Sequence, residues 1–399
     1  MSAQDEETAS GHVMRDSSRL MPSDNPFKVV IAGGGVAALE AALALRDLAG
    51  DRVALQIVAP NAEFSYRPMA VREPFAIAPS NRYPLAEIAS DIGAELVSTE
   101  FGWVDTEQRL AHTTDGAGLP YDALLLALGA LMRPAFAHAV TIDDRRMDEL
   151  MHGVIEDVEG GYAPRLAFVI PSRPGWPLPI YELALMTAAR AYDMSVKVEI
   201  TIVTPEAAPL AVFGDAASDA VAKLLADAAI ETITASHAQV PEPGKLVIEP
   251  GDRTLSVDRV IALPELFGPA VRGLPAGEHG FIEVDRFGRV HDAPGVYAAG
   301  DAINFPVKHG GVAAQQADAA AQSIAELAGV TITPTPDLPE IHGILLTGRN
   351  PLYLTAQLTG SHGFSSKVTN EPTWSPVTKI TSKYLAPYLE HRDQTAPAA

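Results

Sequence analysis

The chain has 399 residues, of which 47% are hydrophobic and 20% are charged, and its formal net charge is −21. This length predicts two or three domains, and the composition is ordinary for a globular protein. The acidity argues against binding nucleic acid or an anionic membrane surface through bulk electrostatics. The chain has no cysteine. Disulfides, thiolate metal sites, a cysteine nucleophile and a dithiol redox centre are therefore excluded.

Residues 1–26 are polar, mixed in charge and without an apolar stretch. They predict a disordered tail and not a signal peptide. The longest strongly apolar run, residues 123–132, is too short to span a bilayer. We therefore expect a soluble cytoplasmic protein.

A glycine-rich turn follows the apolar run of residues 29–32. Its small residues Gly33, Gly35 and Ala38 have the G-x-G-x-x-G/A spacing, and a helix is predicted over residues 39–48. In such a turn the first glycine permits the tight bend, the second admits a pyrophosphate, and the helix N-terminus faces the anion. The strand, turn and helix together predict a dinucleotide site. The alternative is a packing turn without a ligand.

The next strand, residues 53–58, ends at Ala59 and not at the Asp or Glu that holds the adenosine ribose in many dinucleotide sites. This departure weakens the ribose contact but leaves the pyrophosphate turn intact. A loop of aromatic and basic residues, 64–69, contains Arg67. Residues 121–130 then predict a buried parallel strand that ends at Gly129.

A second α/β unit is predicted by strands at residues 166–170 and 198–203 and by helices at 181–192 and 216–228. Its first strand and helix are joined by residues 171–179, which hold four prolines and one glycine. Proline lacks the N–H that would bind a phosphate. The pattern therefore predicts a dinucleotide fold in which a proline-rich turn replaces the glycine turn that binds phosphate.

Further along, a short strand at residues 295–299 ends in Gly300-Asp301, and a loop with Lys308 leads into a helix at 312–327. The proline-rich stretch 331–339 predicts a linker to a small C-terminal piece. The eleven histidines show no metal-ligand spacing, so no metal site is expected.

The motifs at 33–38, 121–130 and 299–301, together with the second α/β half, resemble the two-dinucleotide-domain flavoproteins of the pyridine nucleotide-disulfide oxidoreductase family. The chain is most similar to the branch of sulfide:quinone oxidoreductases, flavocytochrome c sulfide dehydrogenases and type II NADH dehydrogenases. Residues 300–317 are the most specific match, and the resemblance covers roughly residues 27–330.

The resemblance implies FAD as the cofactor, with its pyrophosphate at the first glycine turn and its ribityl chain on Asp301. It also implies that the helix near Val312 points at the flavin O2 and N1 edge, beside Lys308, and that Glu182 relays protons near the isoalloxazine. The implied catalytic residues are Glu182 and Lys308. The implied cofactor-binding residues are Gly33, Gly35, Val36, Ala37, Ala38, Arg67, Gly129, Gly300, Asp301, Gly311 and Val312.

Each of these roles has a simpler alternative. Asp301 could be a turn aspartate, Lys308 a solvated loop lysine, and Glu182 a carboxylate that stabilises the first turn of its own helix. Two departures also limit the resemblance. Sulfide oxidation as the family performs it needs redox cysteines and is excluded here, and the proline turn leaves NAD(P)H binding open.

We therefore expect an α/β protein with two interleaved Rossmann-like domains, each with a parallel sheet, and a small C-terminal domain. The FAD domain is placed at residues 27–145 and 260–330, the second domain at 146–259 and a C-terminal interface region at 331–399. The expected function is FAD-dependent transfer of two electrons from NAD(P)H or another small reductant to an acceptor such as a quinone. The alternative is a non-catalytic flavin-binding protein. The C-terminal region is a candidate for homodimer contacts, and membrane contact is not expected.

Overall fold

The computed structural model describes residues 26–395 apart from residues 174, 276, 337–338 and 361. The predicted N-terminal tail lies outside the described residues, except for residue 26. Every helix within these described ranges is too short or too polar to cross a membrane.

Residues 27–159 form eleven strands, which contribute to two large parallel sheets and to smaller antiparallel ones, and the first three helices. The strands are β1 (Phe27–Ala32), β2 (Val53–Val58), β3 (Glu63–Ser65), β4 (Arg82–Pro84), β5 (Glu95–Val97), β6 (Phe101–Asp105), β7 (Leu110–Thr113), β8 (Gly118–Pro120), β9 (Ala123–Leu126), β10 (Leu131–Arg133) and β11 (Val140–Thr141). The helices are α1 (Val36–Ala49), α2 (Leu85–Asp91) and α3 (Met147–Glu159).

The remainder completes both sheets and adds the C-terminal region. The strands are β12 (Arg165–Val169), β13 (Glu199–Val203), β14 (Glu231–Ile233), β15 (His237–Glu242), β16 (Lys245–Glu249), β17 (Arg253–Ser256), β18 (Arg259–Ala262), β19 (Glu265–Phe267), β20 (Val296–Ala298), β21 (Glu340–Leu345), β22 (Leu352–Thr359) and β23 (His362–Thr369). The helices are α4 (Leu178–Asp193), α5 (Asp215–Asp227), α6 (Gly310–Leu327) and α7 (Leu385–Thr395).

The first sheet is parallel throughout, in the order β20-β9-β1-β2-β5. Residues 29–32 of β1 and all of β9 have no solvent exposure, which is what continuous apolar runs predict for strands covered on both faces. The alanine-rich helices α1 and α6 pack on one face. The β6-β7-β8 meander covers the other. Because β1 lies between β2 and β9, the strand order reverses beside it, where such folds bind ligands.

The second sheet repeats this design in the order β11-β18-β12-β13-β14, again with parallel pairs. Helices α3, α4 and α5 pack on one face. The β15-β16-β17 meander covers the other. Both β11 and residues 260–262 of β18 lie outside the interval 146–259, so the sheet extends a few residues beyond the predicted second domain at both ends. An antiparallel ribbon of β10 and β19 joins the two halves.

The C-terminal region contacts both halves. The antiparallel sheet β21-β22-β23 buries Ile341, Leu345 and Leu354 in the core of the second half. Helix α7 instead packs on α1, where the buried Glu40 accepts hydrogen bonds from three successive backbone amides, residues 383–385, at 2.8, 3.0 and 2.6 Å. The C-terminal region therefore contacts both the half that contains the first sheet and the half that contains the second sheet.

The predicted elements are present, and their limits differ mostly at helix starts. The helix predicted at 181–192 begins at Leu178, because proline is tolerated in a first turn, where N–H groups have no helical partner. The helices predicted from residues 39 and 312 begin at Val36 and Gly310. The expected α/β fold with parallel sheets is confirmed.

Candidate functional site

The turn between β1 and α1 has the geometry of an anion cradle. Gly33 has φ +131°, and a Cβ there would lie 2.2 Å from the carbonyl oxygen of Ala127. At Gly35, by contrast, no described atom lies within 4 Å of the Cβ position. No described side chain caps α1, which starts at Val36 and continues with the buried Ala37 and Ala38. The helix N-terminus therefore faces open space with free N–H groups, a ready site for a phosphate.

Three of the predicted residues lie at one edge of the first sheet because their strands are parallel neighbours. Gly33 follows β1, Gly129 follows β9 with φ +72°, and Gly300 follows β20 with φ +75°. A Cβ at Gly300 would lie 3.2 Å from the Cβ of Ala37 and 3.4 Å from that of Ala313. The turn after β20 therefore brings the N-terminal ends of α1 and α6 together at the switch point.

Acidic and basic side chains surround this edge. Burial raises the pKa of Asp301, and the positive charge of Lys308 partly offsets the effect. An Arg67 nitrogen lies 3.7 Å from a carboxylate oxygen of Asp144. That buried oxygen has no hydrogen-bond partner among the described residues. Unpaired acceptors of this kind suit the hydroxyl groups of a polar ligand.

The N-terminus of α6 contributes a second anion-attracting helix end. Its first residues, Gly310 to Val312, have no side-chain cap among the described residues. The preceding Lys308 donates a hydrogen bond to the carbonyl of Ile303 and lies 4.0 Å from the centre of the Phe281 ring. Burial lowers the pKa of Lys308 to about 8. It is therefore held against the protein and is not the freely solvated loop lysine of the alternative.

Glu182 takes part in a buried ion pair. Its carboxylate lies 2.6 Å from Nζ of Lys379 and accepts a hydrogen bond from the backbone of Leu346 at 2.9 Å. The two side chains are 1% and 5% exposed, and Nζ also donates to the carbonyl of Pro68 at 3.1 Å. The carboxylate thus joins three distant segments, contrary to the alternative in which it stabilises only its own helix turn. Burial raises the pKa of Glu182 and lowers that of Lys379.

This ion pair lies beside the N-terminus of α6. Ile380, next to Lys379, packs on Gly310, where a Cβ would lie 2.8 Å from its side chain. His309 lies between Lys308 and Gly310 in the chain, and burial lowers its pKa to about 3. Its Nδ1 has no hydrogen-bond partner in the described part of the chain. The neutral imidazole of His309 and the Glu182–Lys379 pair are therefore close to the start of α6.

The sequence did not reveal Lys379 or His309 as site residues. Lys379 comes from the C-terminal region, 197 positions from its partner, and carries no local motif. His309 lies in the loop that the sequence singled out, but no ligand spacing marked it. The other predicted residues, Gly129, Gly300, Gly311 and Val312 among them, lie at the sheet edge or at the start of α6.

This fold and the two helix starts at its edge are typical of proteins that bind a dinucleotide. The family model of the pyridine nucleotide-disulphide oxidoreductases matches residues 182–323. A curated relative, an NADH dehydrogenase-like protein of Mycobacterium tuberculosis, is 24% identical over 292 residues, which cover 69% of this chain and 72% of the relative. These similarities make the chain a flavin-dependent oxidoreductase with FAD as its cofactor.

Two solved structures share the fold. The sulfide:quinone oxidoreductase of the hyperthermophilic bacterium Aquifex aeolicus has a TM-score of 0.77 at 19% identity, with 86% of this chain and 87% of that chain covered. A ferredoxin reductase of Rhodopseudomonas palustris has a TM-score of 0.64 at 20% identity, with 83% and 82% covered. The expected fold is thereby confirmed.

The residues at the edge fit FAD. The open space at Gly35 and the uncapped start of α1 suit the pyrophosphate, and the uncapped start of α6 with Lys308 suits the edge of a reduced flavin, which carries negative charge. Ala59 is 1% exposed and apolar, so the usual carboxylate for the adenosine ribose is absent from the end of β2.

We predict that Lys308 makes the stability of the apoprotein depend on alkaline pH. With its pKa lowered from 10.5 to about 8, the folded state loses this proton before the unfolded state does. Stability should therefore rise with pH between these two values, by up to about 1.4 kcal/mol per pH unit from this group. Urea unfolding of wild type and Lys308→Met across this range measures the difference. The exposed Lys223→Met is the control, and equal slopes in wild type and Lys308→Met would refute the prediction.

Proposed function

We propose that this enzyme passes two electrons through FAD to a small acceptor such as a quinone. The observation that carries the proposal is the convergence of two uncapped helix starts, Asp301 and the buried Glu182–Lys379 pair around one sheet edge. The donor in this proposal is NAD(P)H or another small reductant, not a cysteine-based sulfide reaction, because the chain has no cysteine.

The cofactor, when bound, supplies the two-electron chemistry. The chain's own residues bind and tune it: the N–H groups at the start of α1 hold the pyrophosphate, and Asp301 holds hydroxyl groups of the ribityl chain. Lys308 and the start of α6 make the potential positive where negative charge develops, which favours the reduced state.

Glu182 is the proposed proton-holding residue. Burial raises its pKa, while Lys379 stabilises the carboxylate at 2.6 Å, so these two opposing effects leave Glu182 able to exchange a proton at the site. Reduction of a quinone to a quinol consumes two electrons and two protons. A proton store beside the site therefore fits such an acceptor better than one that takes electrons only.

The test compares acceptors that differ in proton demand. The FAD-loaded protein is reduced with dithionite and mixed without oxygen with a short-chain quinone or with ferricyanide, which takes electrons alone. In Glu182→Gln we expect oxidation by the quinone to slow by about 10²–10⁴-fold, the usual contribution of acid–base catalysis, with ferricyanide oxidation little changed. The exposed Glu149→Gln is the matched control. Equal slowing with both acceptors would remove the proton role.

A second candidate is a non-catalytic flavin-binding protein that acts in sensing or partner binding. The apolar, 1% exposed Ala59 at the ribose position favours it, because weak cofactor retention suits a sensor better than an enzyme. If neither acceptor oxidises the reduced protein, this candidate is supported.

We also propose the C-terminal region, where Phe364 is 47% exposed, as the contact surface of a homodimer.

A further inference from the structure

The second sheet also has a switch point, beside its central strand β12. A dinucleotide fold binds its nucleotide there, at the carboxyl ends of the strands. In this protein the turn after β12 leads into α4 through Pro177 and Pro179. Pro179 has no N–H, and the amide of Ile180 already donates to the carbonyl of Pro177 at 3.1 Å. The start of α4 therefore has fewer free donors for a phosphate than the start of α1.

The acidic side chain that follows β13 is also occupied. Glu206, three residues past the end of β13, accepts hydrogen bonds from the Tyr181 hydroxyl at 2.6 Å and from Thr204 Oγ1 at 3.0 Å. Burial raises the pKa of Glu206 and raises that of Tyr181. The pair lies in the interior, so a ribose would have to displace Tyr181, which is fully buried.

The turn itself closes the space between the two halves. The carbonyl of Gly175 accepts a hydrogen bond from the backbone of Lys308 at 3.0 Å. A Cβ at Gly175 would lie 2.2 Å from a methyl carbon of Leu266. Arg173 is 2.9 Å from a ring nitrogen of His279 and 3.4 Å from a carboxylate oxygen of Glu265. The turn is thus fastened to the flavin half.

A small cavity lies among the described residues at this edge of the second sheet. The cavity there has a volume of about 60 Å³ and is lined by residues of the turn, of β15 and of β19, including Pro171, Ser172, His237 and Glu265. Ligand pockets usually measure about 300–1,000 Å³. The cavity would hold a few water molecules but not a dinucleotide.

We infer that NAD(P)H, the donor implied by the family, does not bind the second dinucleotide fold, and that this fold serves instead to hold the Lys308 loop in place. The inference rests on the proposed flavin chemistry and narrows its donor to a reductant other than a nicotinamide nucleotide. Three separate features of the described residues support the inference: few free phosphate donors at the start of α4, an occupied carboxylate at Glu206 and a small cavity.

The test is an anaerobic titration of the FAD-loaded protein with NADH and with NADPH, each up to about 1 mM, the upper end of usual KM values. The absorbance of the oxidised flavin reports reduction, and the fluorescence of the added nucleotide reports binding. We expect neither bleaching nor saturable enhancement of nucleotide fluorescence. Bleaching in proportion to added nucleotide, or saturable binding with either nucleotide, would overturn the inference.

Two further measurements separate this result from failure of the proposed function. Dithionite must bleach the same sample, which shows that the bound flavin can be reduced. Reoxidation of that sample by quinone tests the proposed function alone. In Gly175→Ala the added Cβ meets Leu266 and lies 3.2 Å from Cβ of Lys308. We expect this variant to lower the flavin reduction potential by displacing Lys308, and an unchanged potential would remove the supporting role of the turn.

Discussion

Replacing Lys379 by methionine is expected to destabilise the protein by about 3–5 kcal/mol, since removal of one partner leaves the other charge buried and unpaired. Glu182 is 1% exposed, and its other described hydrogen bond comes from a single backbone amide. The midpoint of urea unfolding, measured on the FAD-loaded protein, gives the change. The exposed pair Lys223–Asp227 supplies the control, because Lys223→Met should cost no more than about 0.5 kcal/mol.

The pH dependence of that loss identifies its cause. Burial already raises the pKa of Glu182, and without Lys379 it should rise further. A folded-state pKa above the unfolded value means that the folded state binds more protons, so stability falls as pH rises through this window. The destabilisation should therefore grow from acid toward neutral pH. The double variant Glu182→Gln/Lys379→Met should recover much of the stability, and failure of both expectations would argue that Lys379 acts only through packing.

Gly35→Ala is expected to weaken FAD binding by at least about tenfold, or 1.4 kcal/mol, while the apoprotein remains folded. At Gly35 φ is −95°, and no described atom lies within 4 Å of the added Cβ. The methyl group would therefore fill space that the pyrophosphate needs, without straining the protein. Equilibrium dialysis against FAD measures the affinity, and thermal unfolding of the apoprotein measures stability.

Gly33→Ala is the matched comparison, two residues away in the same turn. There φ is +131°, and the added Cβ would lie 2.2 Å from the carbonyl oxygen of Ala127. This variant should lose both apoprotein stability and FAD binding, because the backbone conformation itself becomes strained. If Gly35→Ala instead bound FAD with unchanged affinity, the pyrophosphate could not lie at this turn.

Sequence reasoning located the cofactor edge because its requirements are local. Gly33 and Gly300 have positive φ angles that few residues other than glycine adopt, and Gly35 leaves open space beside the turn. Both turns follow an apolar strand that the sequence pattern reveals. Parallel strand order then brings these turns to one edge. The elements of this half and a dinucleotide turn were thus predictable, and the family resemblance implied FAD.

The buried polar partners could not be predicted in this way. Lys379 is one lysine in a polar C-terminal segment, and Tyr181 reads as an ordinary aromatic of a helix. Lys379 pairs with Glu182, and Tyr181 pairs with Glu206. Both pairs form because these side chains become buried together when helix α4 packs between the second sheet and the C-terminal region. A buried polar group needs a partner, but this requirement does not indicate which residue along the chain will be that partner.

The amino-acid sequence by itself determined the α/β class, the dinucleotide-type turn and the absence of cysteine chemistry, because these depend on residue type and short-range spacing. The tertiary structure decided the partner of Glu182, the occupation of Glu206 and the closure of the second half against the Lys308 loop. Those features arise from contacts between segments far apart in the chain, where desolvation, not local backbone preference, selects the partner.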